Sequence, residues 1–144
     1  MMTTMLTQQT LISGRQRRLH VTPGQALSGK HVIVIEDNPI VRMGIEDVLR
    51  GAGAHIARSF SHKADAAVLD VTLGSGITAI PIAKTLSLRQ VPFLFYTGQP
   101  ETVLAPIREQ WPECRILPKP STPQQILAGV VSLVDKHGVR TGAY

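Results

Sequence analysis

HVIVIEDN, residues 31–38, decides the fold class. After His31 come four β-branched apolar residues in a row, with no polar alternation. That is the pattern of a strand buried on both faces, as in parallel sheets covered by helices above and below. The run ends on two acids, Glu36 and Asp37. It continues into PIVRMGIEDVLRGAG (39–53), where Ile40, Val41, Gly44, Ile45, Val48 and Leu49 recur at helical spacing. Pro39 suits a first helical position, and Gly51 or Gly53 the stop. A strand, an acidic turn and a helix make the first half of a βαβ unit.

Working outward, the alternation repeats. AHIAR (54–58) reads as a second, weaker strand and AAVLD (66–70) as a third that ends in an acid. A helix is expected from about Thr78 to Leu88, with Pro81 tolerable only in its first turn. PFLFYT (92–97) is a fourth strand. Glu101–Trp111 reads as a poor helix because Pro106 interrupts it, and CRILP (114–118) is a fifth strand. Thr122 or Ser121 is suited to cap a last helix, PQQILAGVVSLVDKH (123–137), with Ile126, Val130, Leu133 and Val134 as its apolar stripe. Strands alternating with helices predict an α/β, doubly wound parallel sheet. Residues 1–29 show no sustained hydrophobic period and read as a flexible basic extension, residues 30–139 as the folded domain and 140–144 as a tail.

The composition agrees with one soluble domain. The chain has 144 residues, 43% of them hydrophobic and 17% charged. A single cysteine, Cys114, excludes an intrachain disulfide framework and points to a reducing compartment. No apolar run approaches the roughly 18 residues of a membrane span. At the start of the chain the basic cluster follows the mild apolar stretch, the wrong order for a secretory signal. The expected location is cytoplasmic, without membrane contact. The net charge of +5 is concentrated in the extension, since residues 1–30 hold Arg15, Arg17, Arg18, Lys30 and no acid. The folded part is nearly neutral, and nucleic-acid binding is not expected of it. His20, His31, His55, His62 and His137 lack metal-ligand spacing, so a zinc site is rejected.

In an open parallel sheet, ligands bind beyond the carboxyl ends of the strands. The residues at those ends are Glu36 and Asp37, Asp70, Thr97 and Lys119. Three carboxylates on one patch repel one another, and a hard divalent cation such as Mg²⁺ relieves that. Asp70 then has an oxygen free to attack phosphorus, with the Thr97 hydroxyl and the Lys119 ammonium holding the phosphoryl oxygens. Each residue alone has a blander role as a cap, a turn former or a solvated amine. Their joint occurrence at successive strand ends is the stronger signal.

Four segments, VIVIEDN (32–38), VLDVTLGSG (68–76), FLFYTG (93–98) and ILPKP (116–120), resemble the response-regulator receiver domain of two-component signalling over about residues 31–137. The resemblance implies a flavodoxin-like sheet of order 2-1-3-4-5. It implies Asp70 as phosphoacceptor, supplied by a histidine kinase or a histidine phosphotransfer protein. It assigns the Mg²⁺ site to Glu36, Asp37, Asp70 and the backbone carbonyl of Thr72, and assigns Thr97 and Lys119 to the phosphoryl group. It also implies a cis Lys119–Pro120 peptide, a geometry nearly confined to X–Pro bonds. Thr72 and Gln99 occupy positions that tune dephosphorylation in such domains.

The sequence departs from that pattern in three places. Only residues 59–65 (SFSHKAD) separate Arg58 from Ala66, fewer than the 10–12 that a crossover with a helix requires. The second helix is therefore expected to be missing or reduced to a single turn. One sheet face is then left to a partner, a second subunit or an infolded side chain such as Phe60. Ile116 stands where receivers often carry a switching aromatic, and Gly74 where many have proline.

The expected function is a stand-alone phosphoacceptor receiver in a phosphorelay. It is a signalling protein that catalyses only its own phosphotransfer and dephosphorylation, and it acts through an unidentified output partner or through homodimerisation. A phosphate-independent, receiver-like binding module is the alternative. A haloacid-dehalogenase-type phosphatase ranks below both, because Thr72 occupies the place of its second acid. A dinucleotide enzyme is excluded by the acidic turn after the first strand, which would repel a pyrophosphate.

Overall fold

The apolar runs form the expected strands in the computed structural model, which describes residues 23–59 and 63–138. In chain order these are β1 (His31–Ile35), β2 (His55–Ala57), β3 (Ala66–Leu69), β4 (Thr72–Leu73), β5 (Ile77–Thr78), β6 (Phe93–Thr97) and β7 (Ile116–Pro118). Five of them make one sheet in the order β2-β1-β3-β6-β7, parallel at every pairing. With the β4–β5 hairpin set aside, that is the expected order 2-1-3-4-5. The helices are α1 (Pro39–Gly51), α2 (Ile80–Leu88), α3 (Glu101–Gln110) and α4 (Pro123–Gly138).

Successive strand residues point to opposite faces, so the near-continuous apolar runs feed two cores. Ile45 and Leu49 of α1 and Ile126 and Val130 of α4 pack with Val32, Val68, Leu94 and Tyr96 on one face. Ala83 and Leu86 of α2 and Leu104 and Ile107 of α3 pack with Ile33, Ala67, Leu69 and Phe95 on the other. The helix ends are fixed by local chemistry. The Asn38 side chain accepts from the N–H groups of Ile40 (3.0 Å) and Val41 (3.3 Å), with Pro39 at the first position. Thr122 and Gln125 bond reciprocally, Gln125 N–H to Thr122 Oγ1 and Thr122 N–H to Gln125 Oε1, a capping box that opens α4. Cys114 is partly buried, and burial pushes its thiol up to about 12.

The connection from β2 to β3 carries no helix among its described residues. Positions 60–62, Phe60 included, lie outside them. Among the described residues the second helix of the doubly wound pattern is missing, as expected. Two contacts bracket the short connection. Arg58 donates from Nη1 and Nη2 to the buried Glu46 of α1 (3.2 and 3.4 Å), and His31 N–H donates to the Asp65 carboxylate (2.8 Å). An open groove of about 370 Å³ remains beside Ile33, Ile35, Ala57, Arg58 and Leu73, reaching Glu36 and Asp37 at its upper end.

Four expectations are corrected. The packed unit begins before residue 30: Pro23–Gln25 form a 3₁₀ turn, Leu27 is fully buried beneath α1, and its N–H donates to Ala52 O at 2.8 Å. Residues 1–22 and 139–144 lie outside the described residues. Helix α2 starts at Ile80, because Thr78 pairs with Thr72 in the hairpin. Strand β7 begins at Ile116 rather than Cys114. Helix α3 runs unbroken through Pro106; burial of Leu104 and Ile107 on either side of it offsets the one amide bond that proline forgoes.

Leu27 lies outside every recognisable strand or helix, yet its side chain is enclosed. Leu27→Ala should lower unfolding stability by about 2–5 kcal/mol, read as a fall in the urea midpoint with an unchanged slope.

Candidate functional site

Parallel pairing brings the strand ends to one edge. The register β1–β3 sets Ile35 beside Leu69, so the next residues, Glu36 and Asp70, emerge as neighbours. The register β6–β7 sets Thr97 beside Pro118, and Lys119 follows. Asp70 N–H donates to Ile35 O (2.9 Å) and Lys119 N–H to Thr97 O (3.0 Å), which extends the sheet bonding to the site residues themselves. Glu36, Asp70 and Thr97 are buried and Asp37 is exposed.

At the centre is the Lys119 ammonium. It donates to Glu36 Oε2 at 2.6 Å and to Asp70 Oδ2 at 2.8 Å. Glu36 also accepts the Asn38 N–H (3.0 Å), and its backbone carbonyl accepts from Arg42 Nη1 (3.2 Å). Asp37 turns outward, and its Oδ2 accepts the Gly74 N–H at 2.8 Å. One oxygen from each of Glu36, Asp37 and Asp70 lies within 4.8 Å of the other two. The Thr97 hydroxyl oxygen accepts the Gln99 N–H at 3.3 Å. Thr72 opens β4, two residues beyond Asp70. The Lys119–Pro120 peptide is cis.

Proton affinities follow from these contacts. Burial raises the Glu36 carboxyl above its ordinary value, and the nearby Asp70 adds to this; the bonds from Lys119 and Asn38 only partly oppose it. The Gly74 N–H holds the exposed Asp37 carboxyl below the usual carboxylate range. Burial disfavours the Lys119 ammonium, but its bonds to Asp70 and Glu36 outweigh that and raise it. The edge therefore carries a carboxylate pair with one captive cation, and a third carboxylate kept ionised beside it. Oxygen donors at this spacing fit a hard divalent ion better than a soft one.

The sequence placed Glu36, Asp37, Asp70 and Lys119 together, and they are together. It did not identify the Gly74 amide or the Asn38 side chain, the groups that orient Asp37 and open α1. The Asn–Pro pair at 38–39 is a recognisable helix start; a backbone N–H leaves no mark in a sequence.

No family model matches the chain, and no curated protein matches it. Solved structures do. The chain is similar to the response regulator PhyR from Brucella abortus, with 22% identity and a TM-score of 0.65 over 81% of this chain and 52% of that one. It thus spans about half of that protein. It is similar to a response regulator receiver protein from Sinorhizobium medicae WSM419, with 19% identity and a TM-score of 0.63 over 74% and 94% of the two chains. SdrG from Sphingomonas melonis Fr1 shares 27% identity, with a TM-score of 0.57 over 76% and 98%. The fold is that of the receiver domain.

Lys119→Met should leave two buried carboxylates facing each other without a counter-charge. The folded state would then favour a protonated Glu36 still more strongly. Stability should be retained near pH 4.5 and should fall as pH rises above the unfolded carboxyl value. Relative to the parent, the urea midpoint of the variant should drop by the equivalent of about 1–3 kcal/mol between pH 5 and pH 8.

Proposed function

We propose that this chain, whose fold is that of response-regulator receiver domains, accepts a phosphoryl group on Asp70 and passes on a signal by protein contact. The observation that carries the reading is the Lys119 ammonium bridging Glu36 and Asp70 at the carboxyl edge, with Asp37 alongside. An ion pair that served stability alone would need no third carboxylate, and three acids at one edge are costly without a cation.

In this reading Asp70 is the nucleophile. Lys119 holds Oδ2, and the other carboxylate oxygen attacks phosphorus in line with the donor bond. That bond breaks with its electron pair on the leaving group. For a phosphohistidine donor the leaving group is the imidazole, which takes up a proton. Lys119 then follows the charge onto the phosphoryl oxygens, and the Thr97 hydroxyl donates to one of them. Glu36, Asp37, Asp70 and the Thr72 carbonyl would hold Mg²⁺, which would supply neutralising charge for the approach of carboxylate and phosphoryl group. Gly98 beside Thr97 leaves the approach to Asp70 open.

The donor is a histidine kinase or a histidine phosphotransfer protein. Ile40 and Met43, 80% and 60% exposed near the start of α1, give a protein donor an apolar footing beside Asp37. Output passes to a partner protein or through a homodimer, and the chain acts on no separate substrate. No described helix is long and apolar enough to cross a membrane. A phosphate-independent binding module is the second reading. It is favoured by Ile116, which pairs in register with Phe95, packs against the second core and has no hydroxyl to report on the site.

The test is incubation with a small phosphodonor such as acetyl phosphate, followed by intact mass. One base-labile phosphate is expected on the parent with Mg²⁺, and none without Mg²⁺ or on Asp70→Asn. An unmodified parent, under conditions that label a control receiver, would favour the binding module.

A further inference from the structure

Gly74 sits in the turn of the β4–β5 hairpin, and its glycine is not there for its backbone angles. The left-handed positions of that turn are Ser75 (φ 56°) and Gly76 (φ 77°), whereas Gly74 has no positive φ. The Ile77 N–H closes the turn onto Gly74 O at 3.2 Å. Space is what Gly74 provides. A Cβ on it would lie 2.9 Å from Asp37 Oδ2, the one atom it would meet within 4 Å among the described residues, chain neighbours aside. The Gly74 N–H reaches that same oxygen at 2.8 Å. Hairpin and carboxylate thus approach each other as closely as a residue without a side chain allows.

We infer that Gly74 is a positioning residue for the cation site: its N–H pins one oxygen of Asp37 so that the other is presented beside Glu36 and Asp70. The inference rests on the receiver reading and adds to it the device that orients its exposed carboxylate. Glu36 and Asp70 are buried and tied to Lys119, so their directions are already set. Asp37 is exposed, and the hairpin amide supplies what burial does not. A side chain at 74 meets the far end of a flexible side chain rather than packed backbone, so its cost falls on the place of Asp37 rather than on folding. Proline at 74 removes the donor outright.

Measurements on the full chain test this. In cation-free protein, the Gly74 amide should exchange at least about 10-fold more slowly in the parent than in Asp37→Ala. Mg²⁺ titrations of the parent, Gly74→Ala and Gly74→Pro should show a half-saturating concentration about 10-fold higher in both variants, the usual scale for losing an orienting partner of a metal ligand. Thermal midpoints should stay close to the parent's. At saturating Mg²⁺ the phosphorylation rate of Gly74→Ala should return to within two-fold of the parent's, a split that general loosening of the fold would not give. A parent that binds Mg²⁺ while both variants bind it equally well overturns the inference alone. So does a Gly74 amide that exchanges as fast in the parent as in Asp37→Ala. A parent that takes up no Mg²⁺ overturns the receiver reading, and this inference with it.

Discussion

Like charges at the end of a parallel sheet are the constraint around which this molecule is organised. Every right-handed crossover returns the chain so that strands finish on the same side, and whatever follows them is gathered there. Here Glu36 and Asp70 follow adjacent strands, and their carboxylates are buried within reach of each other. The Lys119 ammonium, at the end of a strand two places away, makes the arrangement tenable by bonding both. Its own proton affinity is raised in return. The ion pair is thus a consequence of topology: it spans 83 positions in sequence and exists only when β1, β3, β6 and β7 are in register.

The β2–β3 connection, with no helix among its described residues, shows how far that framework can be trimmed. A crossover normally covers the sheet face it passes, and the β2–β3 connection is too short to do so. Polar pins take over part of the work. Arg58 closes the end of β2 onto Glu46 of α1, and Arg50 and Arg42 approach the same carboxylate at 3.2 and 4.0 Å. Asp65 accepts from the first residue of β1, and Ala64 is drawn into the core beside Ile33 and Ala67. The edge strand is thereby reduced to three residues, short enough to offer little to another strand.

The parts legible in the sequence were those with a repeating physical signature. Four β-branched residues after His31 can scarcely be anything but a doubly buried strand, and the acids that follow fall at the carboxyl edge by topology alone. Glu36, Asp37, Asp70 and Lys119 were readable for that reason. What escaped has no period. Leu27 is one apolar residue in a polar stretch, and only its burial under α1 shows that the domain begins before the first strand. The hairpin at 72–78 is two residues long on each side, below the length at which alternation shows. Pro106 interrupts the helical pattern in the sequence, but a forfeited amide bond is a local cost while Leu104 and Ile107 are anchored by the whole second core. Gly74 was visible as a departure from proline, but its role depends on a 2.8 Å contact with a residue 37 positions away.

The same logic bears on how the site is coupled to the rest of the fold. Ile116 and Tyr96 lie on opposite faces of the sheet, one in the core under α2 and α3, the other in the core under α1 and α4. Tyr96 carries the polar handle: its hydroxyl accepts the Ser121 N–H at 3.2 Å, and the Lys119 ammonium lies 5.5 Å from its ring centre. Two residues after Lys119 the chain is thus tied to the α4 face, and the next residue, Thr122, caps α4 itself. A displacement of Lys119 away from Glu36 pulls on Pro120, Ser121 and that cap through covalent bonds. Toward Ile116 the chain runs through Leu117 and Pro118, which the sheet holds in register with Tyr96 and Thr97. The site is therefore tied to the start of α4 by the Ser121–Tyr96 bond and the Thr122 cap, on the face of the sheet opposite Ile116.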